Sequence, residues 1–140
     1  MDIFIFKMEN LHILFIDDDE IERLKFNRIC KQSEYKTTIT QAENGEEALQ
    51  RIEEKLPQLI ILDLNMPKMN GIEFLSILRE NERLKYIPIV VLSSSDNQDD
   101  VKKCFEIGIS GYLIKPLRYD DYKQTITKLL AYWNVNNLLI

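Results

Sequence analysis

The sequence predicts an α/β fold in which five parallel strands form one sheet, with five helices packed on its two faces. Three observations predict it. Short apolar runs rich in β-branched residues recur at wide intervals, as in strands buried on both faces. The segments between them repeat apolar residues at three and four, the spacing of a helix that covers a core. No hairpin turn signal joins one strand to the next, so strand and helix alternate, and alternating elements build a doubly wound parallel sheet.

The first strand is Leu11-His12-Ile13-Leu14-Phe15-Ile16, followed by the acidic run Asp17-Asp18-Asp19-Glu20. Asp19 and Glu20 suit the start of the first helix, where carboxylates meet free N–H groups and the positive end of the helix dipole. Thr37–Ala42 is β-prone but more polar, as befits an edge strand. Gly45, Ala48, Leu49, Ile52 and Leu56 outline the second helix, and Pro57 closes it off before the third strand, Leu59-Ile60-Ile61-Leu62. Asn70-Gly71 opens the third helix, and Pro88 stands in the fourth run, Ile87-Pro88-Ile89-Val90-Val91-Leu92. Val101, Cys104 and Phe105 mark the fourth helix, ended by Gly108, and Tyr112-Leu113-Ile114 is the fifth strand. The last helix is the clearest: Tyr122, Ile126, Leu129, Leu130 and Trp133 form one continuous stripe.

Composition bounds the function. A chain of 140 residues holds one domain and has no room for a fused sensor, kinase or DNA-binding module. With 45% hydrophobic and 29% charged residues it can bury a real core. Eighteen basic against 23 acidic residues give a net charge of −5, which disfavours nucleic acid and anionic membrane as partners. Cys30 and Cys104 lie far apart with no CxxC and no histidine nearby, so they read as reduced, buried thiols. Residues 1–10 carry too short an apolar run for a signal peptide, and a cytoplasmic location is expected. The expected limits are an N-terminal extension over 1–9, with Met8 an alternative start, a domain over 10–133, and a short apolar tail over 134–140 that caps the fold or, as the alternative, makes a dimer contact, with no output domain.

The buried strands end on polar residues: Asp17-Asp18-Asp19-Glu20 after the first, Asp63 after the third, Ser93-Ser94-Ser95 at the fourth, Lys115-Pro116 after the fifth. In an open parallel sheet these carboxyl ends emerge along one edge, where ligands bind. Carboxylates converging there repel one another unless a proton or a cation compensates them. An oxygen-only donor set without His or Cys points to a hard divalent ion, Mg²⁺ foremost, with an anionic group beside it. Lys115 and Ser93 are equipped to hold phosphoryl oxygens, and Asp63, alone at its strand end, is placed as a nucleophile.

Together these motifs resemble a receiver domain of two-component response regulators, in its stand-alone chemotaxis-regulator form. The resemblance rests on Ile13-Leu14-Phe15-Ile16-Asp17-Asp18-Asp19-Glu20, Leu62-Asp63-Leu64-Asn65-Met66-Pro67 with Asn70-Gly71, Val91-Leu92-Ser93, and Gly111-Tyr112-Leu113-Ile114-Lys115-Pro116, spanning roughly residues 9–132. It implies the flavodoxin-like strand order 2-1-3-4-5. It implies that Asp63 accepts a phosphoryl group from the phosphohistidine of a histidine kinase or phosphotransfer protein. Mg²⁺ would then be held by Asp17, Asp18, Asp63 and the backbone carbonyl of Asn65. Ser93 would be the switch hydroxyl, Lys115 the salt-bridge partner of the phosphoryl group, and Tyr112 the aromatic switch residue, with the Lys115-Pro116 bond cis. Phosphorylation would switch a surface for a downstream protein, the chain acting as a monomer or a phosphorylation-dependent homodimer and not as a turnover enzyme. Ser93 stands where threonine is commoner, and Ser94 where a smaller residue is usual.

Three other readings fit less well. A phosphatase of the haloacid dehalogenase type resembles this pattern but carries a second Asp two residues after its nucleophile, where this chain has Asn65. An electron carrier of the flavodoxin type needs a phosphate-binding loop where Asp17-Asp18-Asp19 would repel it. A non-phosphorylated pseudo-receiver is the remaining alternative, although its usual sign, loss of an acidic or Lys position, is absent.

Overall fold

The computed structural model describes residues 10–136 and 138; the expected N-terminal extension, with Met8, and residues 137, 139 and 140 of the apolar tail lie outside the described residues. Ten elements alternate along the chain: β1 Leu11–Ile16, α1 Glu20–Gln32, β2 Thr37–Ala42, α2 Gly45–Glu54, β3 Leu59–Leu62, α3 Gly71–Glu80, β4 Ile89–Ser93, α4 Gln98–Ile107, β5 Gly111–Ile114 and α5 Tyr119–Asn134. All strand pairings are parallel and the order is β2-β1-β3-β4-β5, as expected.

Alternation along β1 builds the two cores. Leu14 and Ile16 face one side, where Ala48, Ile52, Phe74, Leu75, Leu78 and Cys104 of α2, α3 and α4 close over them. Ile13 and Phe15 face the other, against α1 and α5. There Phe15 stacks on Phe26 with ring centroids 4.2 Å apart. The predicted stripe on α5 is buried throughout, and Leu138 packs against the same cluster. Both cysteines are free and buried, and burial pushes the Cys30 thiol up to about 12, which leaves it unreactive near neutrality.

Four sequence expectations need correction. Leu56 lies beyond the end of α2 and is exposed, because Pro57 biases the preceding residues away from helical geometry. Phe105 is 53% exposed and α4 buries only Cys104, since a helix at the sheet's margin has little core to cover. β4 begins at Ile89 and includes Ser93; Pro88 has no N–H for the ladder and ends up before the strand. No peptide bond among the described residues is cis, so Lys115-Pro116 is trans, the lower-energy isomer of an X–Pro bond. In addition β5 is the second edge strand, only half buried, with Ile114 exposed.

Side-chain caps set the start of four of the five helices. Asp19, Asn44, Asn70 and Asn97 cap α1 to α4, their side chains accepting N–H bonds from the first turn. The acidic pair Asp19-Glu20 thus has the capping role read from the sequence: Asp19 Oδ1 accepts from Ile21 N–H at 2.9 Å.

Candidate functional site

Parallel pairing carries the ends of β1 and β3 side by side: Ile16 pairs with Leu62, and the Asp63 N–H donates to the Ile16 carbonyl at 3.0 Å. Asp17 and Asp63, distant in sequence, therefore sit together at the mouth of the sheet. Asp17 is 1% and Asp63 6% exposed, while Asp18 is exposed. Carboxylate oxygens of Asp17, Asp18 and Asp63 all lie within 4.8 Å of one another. Asp17 is anchored by its neighbours: its Oδ1 accepts from Asp19 N–H at 3.0 Å and its carbonyl from Arg23 at 2.8 Å.

Lys115 reaches this group from the end of β5, where its N–H donates to the Ser93 carbonyl at 2.9 Å. Its Nζ donates to Asp17 Oδ2 at 2.8 Å and stands 3.9 Å from Asp63 Oδ1. Burial alone would lower the lysine's pKa, but the bond to Asp17 and the charges of Asp17, Asp63 and Glu22 outweigh it, so Lys115 is held above its ordinary value. Asp63 moves the other way from a normal acid. Burial, then the Asp17 charge, push it up to about 6 despite Lys115 and a hydrogen bond from the Asn65 backbone, with Asp18 adding to the rise. One ammonium does not balance three carboxylates. Oxygen donors only, clustered and partly desolvated, fit a hard divalent cation, and an open cleft of about 400 Å³ lined by Asp17, Asp18, Asp63, Asn65, Ser94 and Lys115 gives it access.

The close approach of α3 shapes the same place. Gly71 N–H donates to the Leu64 carbonyl at 3.0 Å, and a Cβ on Gly71 would lie 2.6 Å from Leu64 Cα and 2.7 Å from the Asp63 carbonyl oxygen. Only glycine lets the helix start press against the backbone that carries Asp63.

The response regulator receiver domain family matches residues 13–127. The chain belongs to that family. Its relatives include the probable methanogenesis regulatory protein FilR2 of Methanothrix harundinacea, 34% identical over 127 residues that cover 86% of this chain and 82% of that protein. Among solved structures it is similar to the Mn²⁺-bound response regulator Rcp1, with a TM-score of 0.86, 28% identity and coverage of 92% of this chain and 99% of that one. It is also similar to the phosphorylated cyanobacterial phytochrome response regulator RcpA, with a TM-score of 0.88, 25% identity and coverage of 94% and 100%. Receiver domains are phosphoacceptor signalling modules, generally not classed as enzymes, that work with a histidine kinase or a phosphotransfer partner. No described helix is long and apolar enough to cross a membrane.

In this receiver Ser93 is fully buried and Tyr112 half buried. Ser95 links the two. Ser93 Oγ accepts from Ser95 N–H at 3.1 Å, and the Ser95 carbonyl accepts from the Tyr112 hydroxyl at 2.8 Å. Ser95 Oγ also donates to Asp100 on α4 at 3.3 Å. Sequence reading grouped Ser95 with its neighbours and assigned it no part. The available signal was its place two residues after Ser93, where a hydroxyl turns the chain back on an N–H. Glu22 and Lys25, which also line the cleft, were missed as well, because helical spacing shows a face without showing what lies across from it.

Proposed function

We propose that this receiver takes a phosphoryl group onto Asp63 from the phosphohistidine of a kinase or phosphotransfer protein, with Mg²⁺ as cofactor. One observation carries the reading: a carboxylate at a strand end, raised first by burial and then by two acidic neighbours, within 3.9 Å of a lysine ammonium. In the transfer the P–N bond of the donor breaks and a P–O bond forms to an Asp63 oxygen. Asp17, Asp18 and Asp63, with the Asn65 carbonyl, are the groups that would hold Mg²⁺, which when bound offsets the charge of the carboxylates and of the phosphoryl oxygens.

The chain's own residues do the remaining work. Asp63 must be ionised to attack, and divalent cation binding favours that form. Lys115 trades part of its contact with Asp17 for the phosphoryl oxygens, a charge-assisted interaction that costs no new burial. The Ser93 hydroxyl turns from Ser95 N–H towards the new anion. That frees one side of the Ser95 peptide, whose carbonyl holds Tyr112 and whose hydroxyl touches α4, so the change reaches the α4–β5–α5 face. The domain acts over residues 10–133 in the cytoplasm, as a monomer or a phosphorylation-dependent dimer, through a downstream protein.

Incubation with a small acyl phosphate and Mg²⁺, followed by intact mass measurement, tests the reading. A single phosphoryl adduct on the wild type, absent in Asp63→Asn and absent in EDTA, is expected. An unmodified wild type would overturn it and leave a non-phosphorylated interaction module.

A further inference from the structure

The cleft that holds Asp63 has a second lysine in its wall. Lys25, on α1, lines it together with Asp17, Asp63, Glu22 and Lys115. Its position is set from two sides. Nζ donates to Glu22 Oε1 at 3.1 Å, and the same ammonium stands 4.2 Å from the centroid of the Tyr122 ring. The side chain is only 23% exposed, so these contacts hold a charge at a partly desolvated place, where it acts over a longer distance than a solvated one. An ammonium has three N–H donors, and the bond to Glu22 uses one.

The groups that hold Lys25 also carry unused polar capacity. Glu22 Oε2 and the Tyr122 hydroxyl are buried, and neither has a hydrogen-bond partner among the described residues. A buried oxygen left in that state keeps its desolvation cost without compensation. Two of them around one lysine are poorly explained by helix packing alone and mark the α1–α5 seam as more than a core contact. The electrostatics give the lysine a task. Five carboxylates, Asp17, Asp18, Asp19, Glu22 and Asp63, line the cleft against Lys25 and Lys115, so an approaching phosphoryl dianion meets an excess of negative charge.

We propose that Lys25 is a second cationic contact for the phosphoryl donor, meeting its anionic oxygens from the α1 wall while Lys115 meets them from the end of β5. The inference rests on the phosphoacceptor reading above. With an acyl phosphate donor, the bond from phosphorus to the acyl oxygen breaks with its electron pair leaving on the carboxylate, and the new P–O bond forms to Asp63. Lys25 forms no bond in this step and contributes charge alone.

The test compares wild type, Lys25→Met and Lys25→Arg in two measurements: the initial rate of adduct formation at low acyl phosphate concentration, and Mg²⁺ affinity by calorimetry. The Met variant keeps an apolar stem over the Tyr122 ring. Its rate is expected to fall about three- to tenfold, while its Mg²⁺ affinity stays equal or tightens, because a positive charge has left an acidic site. The Arg variant recovers the rate. A merely structural lysine gives a different pattern, with rate and affinity unchanged or lost together, and either result overturns the proposal. A lower melting midpoint in Lys25→Met would pass the same test to Lys25→Gln. No adduct on the wild type would overturn the phosphoacceptor reading itself, whereas an adduct formed equally fast by wild type and variant overturns only the role of Lys25.

Discussion

Lys115 donates to Asp17, not to Asp63: Nζ is 2.8 Å from Asp17 Oδ2 and 3.9 Å from Asp63 Oδ1. The lysine therefore balances the more deeply buried of the two carboxylates and leaves Asp63 poorly compensated. Desolvation has then only been partly offset, and Asp63 stays raised to about 6. This arrangement leaves the nucleophile with the most to gain from a cation.

Removing that lysine exposes the imbalance. Lys115→Met leaves Asp17 and Asp63 buried without their ammonium, and breaking a buried pair from one side is costly. The variant is expected to be less stable by about 2–4 kcal/mol in EDTA at pH 8. Mg²⁺ should raise its melting midpoint by more than it raises that of wild type, while adduct formation slows at least tenfold. Thermal scans with and without Mg²⁺ check the first two points, and an equal Mg²⁺ shift in both proteins would refute the balance drawn here.

Asp63→Asn should stabilise the protein without metal, and the sign follows from its raised pKa. The unfolded chain ionises near the ordinary 3.8 and the native one near 6, so native Asp63 binds a proton more tightly and its ionisation works against the fold. The penalty is absent below about pH 4, grows between the two values, and levels off above about 6 at roughly 2–3 kcal/mol. Urea denaturation in EDTA should show the variant more stable by about that amount at pH 8 and indistinguishable from wild type at pH 3.5. Equal stabilities at pH 8 would remove the desolvated carboxylate from the account.

His12 gives the opposite slope. It is the only histidine, buried in β1 with Nε2 2.9 Å from Thr40 Oγ1. Burial and the Lys55 ammonium hold its pKa below the ordinary 6.5, more than the Leu56 backbone raises it. The unfolded chain therefore takes up the proton first. The neutral ring's contribution is complete above 6.5 and is lost as the pH falls through that value towards the lower native one. In an Asp63→Asn background, which removes the opposing titration, stability should fall between pH 7 and 5, and His12→Gln should flatten that fall. An unchanged slope in the double variant would show that other groups carry it.

The legibility of this chain follows from what each signal depends on. The parallel sheet, the α5 stripe and the edge that gathers Asp17, Asp63, Ser93 and Lys115 follow from local pattern and the rules of parallel sheets, whereas the strand order comes from the family resemblance. Leu56 and Phe105 misled because apolar spacing says where a helix face points without saying how much core remains to cover it. The partner chosen by Lys115, the bridging place of Ser95 and the presence of Lys25 in the cleft depend on distances across elements, which one sequence does not encode locally.

Gly71 joins the two levels, since a turn signal visible in the sequence proves to be a contact at the site. A Cβ there would meet Leu64 Cα at 2.6 Å and the Asp63 carbonyl oxygen at 2.7 Å, and both are backbone, which yields less readily than a flexible side chain. Overpacking of this kind costs about 1–3 kcal/mol. Relief can come only from moving the start of α3 away or from displacing the segment that carries Asp63. Gly71→Ala is therefore expected to lower stability by about that much and to slow adduct formation on Asp63, although residue 71 itself bears no functional group. Unfolding by urea and the rate of the mass adduct measure the two effects. A variant with lowered stability and an unchanged rate would mean that α3 moves alone and that Asp63 is positioned by β3 and its bond to Ile16, without help from the helix.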